Sequence, residues 1–323
     1  MVTSLPDQIA HHWATRTKPL HSLGRLEDIA TRYCLIRNQL LPRCDRFGLF
    51  LCAASHGITA EGVSLYPPAV TAQMLANFRA GNAAINVLAR LHNVTLHLED
   101  CGVAQGTANF LHAPAMTPQQ CDAQLTAGAE KATLASHLYD AVALGEMGIG
   151  NTTSAAALLA ALGPFTGPEV AGRGAGLNPE QIAHKASVID RALAFHQLTP
   201  TDPLRALTSV GGFEIARMVG FLLTAAERKL PVMLDGFITG AAALVATRLD
   251  PRVSESLFFS HLSAEKAHRL LLDLLDADPY LDLGLRLGEG SGAILGLHLL
   301  HTAMKLYSEM ASFDSAHVSQ ANS

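Results

Sequence analysis

The chain lacks most of the signatures by which a sequence declares its chemistry. Its five cysteines, Cys34, Cys44, Cys52, Cys101 and Cys121, form no CxxC pair. An odd count inside or beside apolar runs fits reduced core thiols rather than disulfides or zinc. There is no HExxH, no Gly-x-Ser-x-Gly elbow and no Gly-Lys-Ser/Thr phosphate loop, so a zinc protease, a serine hydrolase and a P-loop enzyme are unsupported. Charged residues make up 16% of the sequence, the net charge is −5, and no stretch of more than two consecutive lysines or arginines occurs. That balance argues against a nucleic-acid binder. The first 17 residues contain Asp7, His11, His12 and Trp13 but no apolar h-region, so they do not read as a signal peptide. The apolar stretches at 155–162 and 215–226 are too short or too interrupted to span a bilayer. A soluble cytoplasmic protein with no membrane span is expected.

What is present is a large apolar fraction, 49% of 323 residues, enough for a sizeable core. Short apolar runs alternate with glycine-bearing loops and long helical patterns. Strands are expected at 47–54, 94–99, 141–144, 231–234 and 257–259. Helices are expected at 70–90, 153–161, 179–195, 213–228 and 264–276. Continuous apolar strands between helices predict an α/β fold, a parallel sheet flanked by helices in a Rossmann-like three-layer arrangement. Helical patterns at 26–38 and 293–310 predict a smaller helical subdomain built from the chain ends (1–39 plus 291–323) beside an α/β domain at 40–290. No internal repeat is found. The polar and glycine-rich clusters follow the strand ends, where open parallel sheets bind ligands.

Five clusters carry candidate chemistry. Leu285-Arg286-Leu287-Gly288-Glu289-Gly290-Ser291-Gly292 places one carboxylate, Glu289, between glycines. A flat ligand can approach it closely, and partial desolvation would raise its basicity. Gly145-Glu146-Met147-Gly148-Ile149-Gly150-Asn151-Thr152-Thr153 reads as a strand-to-helix turn. Gly148 and Gly150 permit unusual backbone angles, Thr152 or Thr153 can cap the helix, and the helix start can hold phosphate. Glu146 can accept from ribose hydroxyls. The missing third glycine argues against a dinucleotide fingerprint, and an ordinary capped loop fits the same residues. Gly172-Arg173-Gly174-Ala175-Gly176, followed by a helix carrying Lys185, can cradle phosphate, although a surface loop and a solvated lysine fit it as well. Asp235-Gly236 and Ser260-His261-Leu262-Ser263 close two further strands, with Ser263 available either to phosphate or as a helix cap. The fifteen histidines include His298 and His301 three apart, and His261 and His268 seven apart. No carboxylate is placed to complete a metal site with them, and they read as core or surface residues.

These segments, in this order, closely resemble the nicotinate-nucleotide–dimethylbenzimidazole phosphoribosyltransferase family of cobalamin synthesis. The resemblance also rests on Ser22-Leu23-Gly24-Arg25-Leu26-Glu27, Val70-Thr71-Ala72-Gln73-Met74, Val210-Gly211-Gly212-Phe213-Glu214 and Leu234-Asp235-Gly236-Phe237. It spans nearly the whole chain, from Lys18 to Phe313. It implies transfer of ribosyl phosphate from nicotinate mononucleotide to 5,6-dimethylbenzimidazole or a related base, giving α-ribazole 5′-phosphate and nicotinate, by a homodimer without cofactor or metal. By the same resemblance Glu289 is the catalytic base, and Gly174, Lys185, Gly236 and Ser263 contact phosphate. Glu146 lies near the ribose, Gly148 belongs to the substrate-binding turn, and Met147, Leu287 and Gln73 wall the benzimidazole. The chain departs from the family pattern at His21, where glycine is usual, at Ser55, where aspartate is common, and at Ala108, where arginine is common.

The chemistry is self-consistent. A pyridinium nitrogen on ribose is already a good leaving group, so only the proton of the attacking benzimidazole needs a base. A carboxylate such as Glu146 can stabilise positive charge on the sugar. Attack opposite the leaving ring inverts the anomeric carbon. Another nucleotide-handling transferase and a non-catalytic nucleotide sensor are the alternatives, and a dehydrogenase is a third. A sensor has no need of Glu289.

Overall fold

The computed structural model describes residues 4–174 and 176–319. Five strands, β1 (Phe47–Ala53), β2 (Val94–Asp100), β3 (Ala141–Met147), β4 (Val232–Leu234) and β5 (Leu257–Phe259), form one sheet in the order β2-β1-β3-β4-β5. Every pairing is parallel. All strands therefore end at one edge, and the order reverses between β1 and β3, where such sheets open a crevice.

Alternate strand residues feed two separate cores. Phe50, Cys52, Val142, Leu144 and Leu234 point to one face, covered by helices Pro118–Leu138, Asn151–Leu162, Phe213–Glu227 and Phe237–Leu249. Leu49, Leu51, Ala143, Met233 and Phe258 point to the other, which carries helices Leu5–Ala14, Arg25–Arg37, Ala69–Ala80, Ala84–Leu91 and Ser291–Glu309. The three-layer α/β architecture follows directly. The two chain ends meet: the Thr17 N–H donates to Ala311 O at 3.1 Å and the Phe313 N–H donates to Thr15 O at 3.0 Å. Helix Ser291–Glu309 also contributes Ile294, Leu297 and Leu300 to the core against β3 and β4. Residues 1–3 and 320–323 of the expected terminal unit lie outside the described residues. Among the described residues no helix is long and apolar enough to cross a membrane.

Two expectations are corrected. β3 continues to Met147, so Gly145 and Glu146 are strand residues rather than loop; they pair in register with Leu51 and Cys52 of β1. The single helix expected at 70–90 is two, because Gly81 (φ 79°) ends the first and Asn86 Oδ1 accepts the Ala83 N–H at the start of the second. Helices Leu5–Ala14, Pro118–Leu138, Pro203–Val210 and Phe237–Leu249 had not been anticipated.

His21 has a left-handed φ of 58°, with 92% of its side chain exposed. The glycine usual there in the resembling family would relieve about 1–2 kcal/mol of strain, set against about 0.5–1 kcal/mol of extra unfolded-chain freedom. His21→Gly should therefore raise the urea midpoint slightly; a lower midpoint would show that His21 contributes contacts exceeding the strain.

Candidate active site

Beyond the ends of β3, β4 and β5 lies a cavity of about 390 Å³. Its base is the 288–290 turn. Gly288 (φ 82°), Glu289 (φ 63°) and Gly290 (φ 86°) are all left-handed, a conformation that costs a glutamate about 1 kcal/mol or more. Asp235, at the end of β4, holds this turn. Its Oδ1 accepts from the Gly292 and Ala293 N–H groups at 2.8 and 3.1 Å, and its Oδ2 from the Gly290 N–H at 3.2 Å. One carboxylate thereby caps helix Ser291–Glu309 and fixes Glu289. The Glu289 N–H donates to Glu146 O at 3.2 Å, tying the turn to β3.

Glu289 is 5% exposed, and its Oε2 has no hydrogen-bond partner among the described residues. Burial raises its pKa, opposed by the Ile85 N–H. Glu146 is pushed up to about 8, first by burial and then by the charge of Asp235, with Glu214 and Glu289 adding and the Asn151 amide opposing. Asn151 Nδ2 donates to Glu146 Oε2. Asp235 is pushed up to about 7 by burial, against the three backbone donors. Acids with raised folded-state pKa values favour the fold while protonated. Their contribution is complete below the unfolded values of 4.5 and 3.8 and fades as pH rises through about 7 to about 8. The melting temperature should therefore fall across that window, and Glu146→Gln should flatten the fall; a variant as steep as the parent would remove Glu146 as a cause.

Two helix starts open on the cavity. Gly150 precedes helix Asn151–Leu162 and Gly236 precedes helix Phe237–Leu249, and among the described residues no side chain caps either. Capping by Thr152 or Thr153 is thus corrected: Thr152 Oγ1 instead accepts from Lys185 Nζ at 3.0 Å, and Thr153 Oγ1 is buried without a partner among the described residues. Only Gly150 of the two turn glycines has a positive φ, 99°. Uncapped helix N-termini present free amides suited to an anion. Lys185 is 1% exposed, and burial lowers its pKa to about 8, opposed by Glu265. The helix expected from Ala264 begins at Lys266, and Ser263 Oγ accepts the Glu265 N–H at 3.3 Å.

Of the candidate residues read from sequence, Glu146, Met147, Gly148, Gly174, Gly236, Ser263, Leu287 and Glu289 line this one cavity. Lys185 stands just behind it, with Nζ 3.8 Å from where a Cβ on Gly174 would lie. Gln73 is exposed outside the wall, and its neighbour Met74 lines the cavity with Val70, four residues earlier on the same helix face. Ala175 lies outside the described residues. Sequence reasoning missed the turn-holding role of Asp235, the Asn151 contact and a buried support: His56 Nε2 bonds Glu214 Oε1 at 2.8 Å, and Nδ1 bonds Ser154 Oγ at 3.1 Å. That pair backs the Gly148 turn, since a Cβ on Gly148 would lie 3.2 Å from His56 Nε2. The polar residues in Val210-Gly211-Gly212-Phe213-Glu214 and Ser55-His56-Gly57 were the available signal, but the two motifs are 158 residues apart.

A family model described as "Phosphoribosyltransferase" matches residues 2–318. Curated proteins named nicotinate-nucleotide–dimethylbenzimidazole phosphoribosyltransferase are similar over almost their full length. That of Ralstonia nicotianae is 46% identical, covering 95% of this chain and 91% of its own. That of Pseudomonas fluorescens is 45% identical, covering 98% and 95%. The chain belongs to this phosphoribosyltransferase family. The crystal structure of CobT from Thermus thermophilus superposes with a TM-score of 0.94 at 40% identity, covering 98% of this chain and 99% of that one. As a phosphoribosyltransferase the protein is an enzyme, and the cavity at the sheet's carboxyl edge is where its candidate residues converge.

Proposed function

We propose that the enzyme transfers the ribosyl phosphate of nicotinate mononucleotide to 5,6-dimethylbenzimidazole or a related base, with inversion at C1′ and Glu289 as general base. The observation that carries this reading is a buried carboxylate oxygen on Glu289, unpartnered among the described residues, in the same cavity as two helix starts that no described side chain caps. The helix starts and Lys185 suit the phosphate. Glu289 suits an aromatic N–H. As the benzimidazole nitrogen bonds to C1′, the pyridine nitrogen departs with the bonding pair, and Glu289 takes the proton from the acceptor's other nitrogen. Glu146, with its pKa near 8, is largely protonated in the empty site at neutral pH; a pyridinium or an oxocarbenium-like sugar beside it favours the ionised form, which in turn stabilises that cation. Holding both rings on opposite sides of one ribose removes much of the entropic barrier.

The test is direct. The protein incubated with nicotinate mononucleotide and dimethylbenzimidazole should release nicotinate and form α-ribazole 5′-phosphate in equal amounts. If neither this base nor other benzimidazoles, adenine or phenols elicit nicotinate release, the reading fails. The cytoplasmic homodimer implied by the family resemblance belongs to the same reading, and light scattering of the purified protein tests the dimer.

A further inference from the structure

We infer that Arg286 binds the carboxylate of the departing pyridine and so makes the enzyme select an acid donor over its amide. This rests on the transfer reading above and concerns the same cavity. Arg286 is the only lysine or arginine in the cavity wall, among the described residues. Glu146, Asp235, Glu265 and Glu289 line that wall too, so its titratable lining is otherwise mostly acidic. Yet Arg286 forms no ion pair or side-chain hydrogen bond among the described residues, although it sits three residues from Glu289. It is exposed at the mouth, where it keeps its hydration until a ligand arrives.

A donor carrying both phosphate and carboxylate needs two cationic receptors in this acidic cavity. The uncapped helix starts and Lys185 supply one. Arg286 is the remaining cation, and a guanidinium fork matches a carboxylate bidentately.

Charge accounting shows why this contact would act on the rate as well as on binding. In the bound donor the ring nitrogen is cationic and the carboxylate anionic, so the pyridine has no net charge. When the C1′–N bond breaks, the pair returns to the ring nitrogen and the leaving group becomes a net anion. Attraction to Arg286 therefore grows along the reaction, which is the kind of interaction that raises kcat. With nicotinamide mononucleotide the leaving group passes from cation to neutral. Arg286 repels the first and has no carboxylate to grip in either state. Although the change of charge on bond breaking is the same for both donors, only the acid is held more tightly than the free state throughout, and the discrimination is read in kcat/KM.

The experiment compares kcat/KM for nicotinate and nicotinamide mononucleotides with one benzimidazole in the parent, R286Q and R286K. A charge-assisted contact predicts that R286Q loses about 10- to 100-fold with the acid donor. The amide donor should change little, so the acid-to-amide ratio collapses, and R286K should keep an intermediate ratio. Where amide turnover is too slow to follow, product inhibition gives the same comparison: nicotinate should inhibit the parent more strongly than nicotinamide, and R286Q should erase the difference. An unchanged acid-to-amide preference in R286Q, whether both donors fall together or neither does, overturns the assignment of Arg286. A parent enzyme that releases no pyridine from either donor overturns the transfer reading instead.

Discussion

Glu289→Gln should lower kcat by about 100-fold or more, the usual contribution of a general base, while nicotinate mononucleotide still binds with near-parental affinity. Glutamine keeps the shape of the side chain and can still accept the Ile85 N–H, so the left-handed 288–290 turn and its Asp235 anchor are retained. What disappears is an oxygen able to take a proton. Burial has already raised the basicity of this carboxyl above that of an ordinary glutamate. The parent's rate should therefore climb with pH through a limb above the ordinary carboxylate range, and the variant should show no such limb. Nucleotide affinity measured by calorimetry separates lost chemistry from lost binding. Parental turnover in the glutamine variant would remove Glu289 from the mechanism.

The obvious rival base is Glu146, which shares the cavity. Its pKa near 8 leaves it mostly protonated in the empty site, and when a cationic sugar draws it into the ionised form its charge is engaged with that cation rather than with the acceptor's N–H. The hydrogen bond from Asn151 also occupies one of its oxygens. Burial raises both carboxyls, and what separates them is engagement: Glu146 is held by Asn151, whereas Glu289 Oε2 has no partner among the described residues.

Glu289 was legible in the sequence because its distinguishing property is local: two flanking glycines in an apolar context. β5 was read with its boundaries intact and β1 to within one residue, because uninterrupted apolar runs bounded by turn residues need no tertiary information. Asp235 was visible only as an acid closing a strand. Its function lies in amides 55 to 58 residues downstream, a relation no local pattern encodes. The His56–Glu214 pair was hidden for the same reason. β3 ended too early in the sequence reading because glycine and glutamate are poor strand formers, and it is the β1 ladder that keeps Gly145 and Glu146 extended. Helix Pro118–Leu138 did carry a readable start, Thr117 with Pro118 and Gln120 in a capping box. Its scattered small and polar residues give little amphipathic signal to follow it.

Gly145→Ala should remove most of the activity while leaving the fold largely intact. A methyl on Gly145 would stand 2.6 Å from Glu289 O, 2.7 Å from Glu289 C and 2.8 Å from Gly290 N. All three are backbone atoms, so no side-chain rotation can make room. β3 cannot yield easily, because Gly145 itself pairs with Leu51 of β1 and the three residues before it, Val142 to Leu144, pair with β4. The 288–290 turn must move instead, straining the bonds from Asp235 and the Glu289 N–H bond to Glu146 O. A displacement of about 1 Å in a catalytic group typically costs on the order of 100-fold in rate. Alanine is acceptable in an extended strand and Gly145 has no positive φ, so the loss comes from the crowded turn rather than from the sheet. The expected result is near-parental far-ultraviolet circular dichroism, a modestly lower melting temperature and kcat close to that of Glu289→Gln. Full activity in Gly145→Ala would mean that the Glu289 backbone need not lie against β3, and the cavity would then owe its reactive geometry to another element.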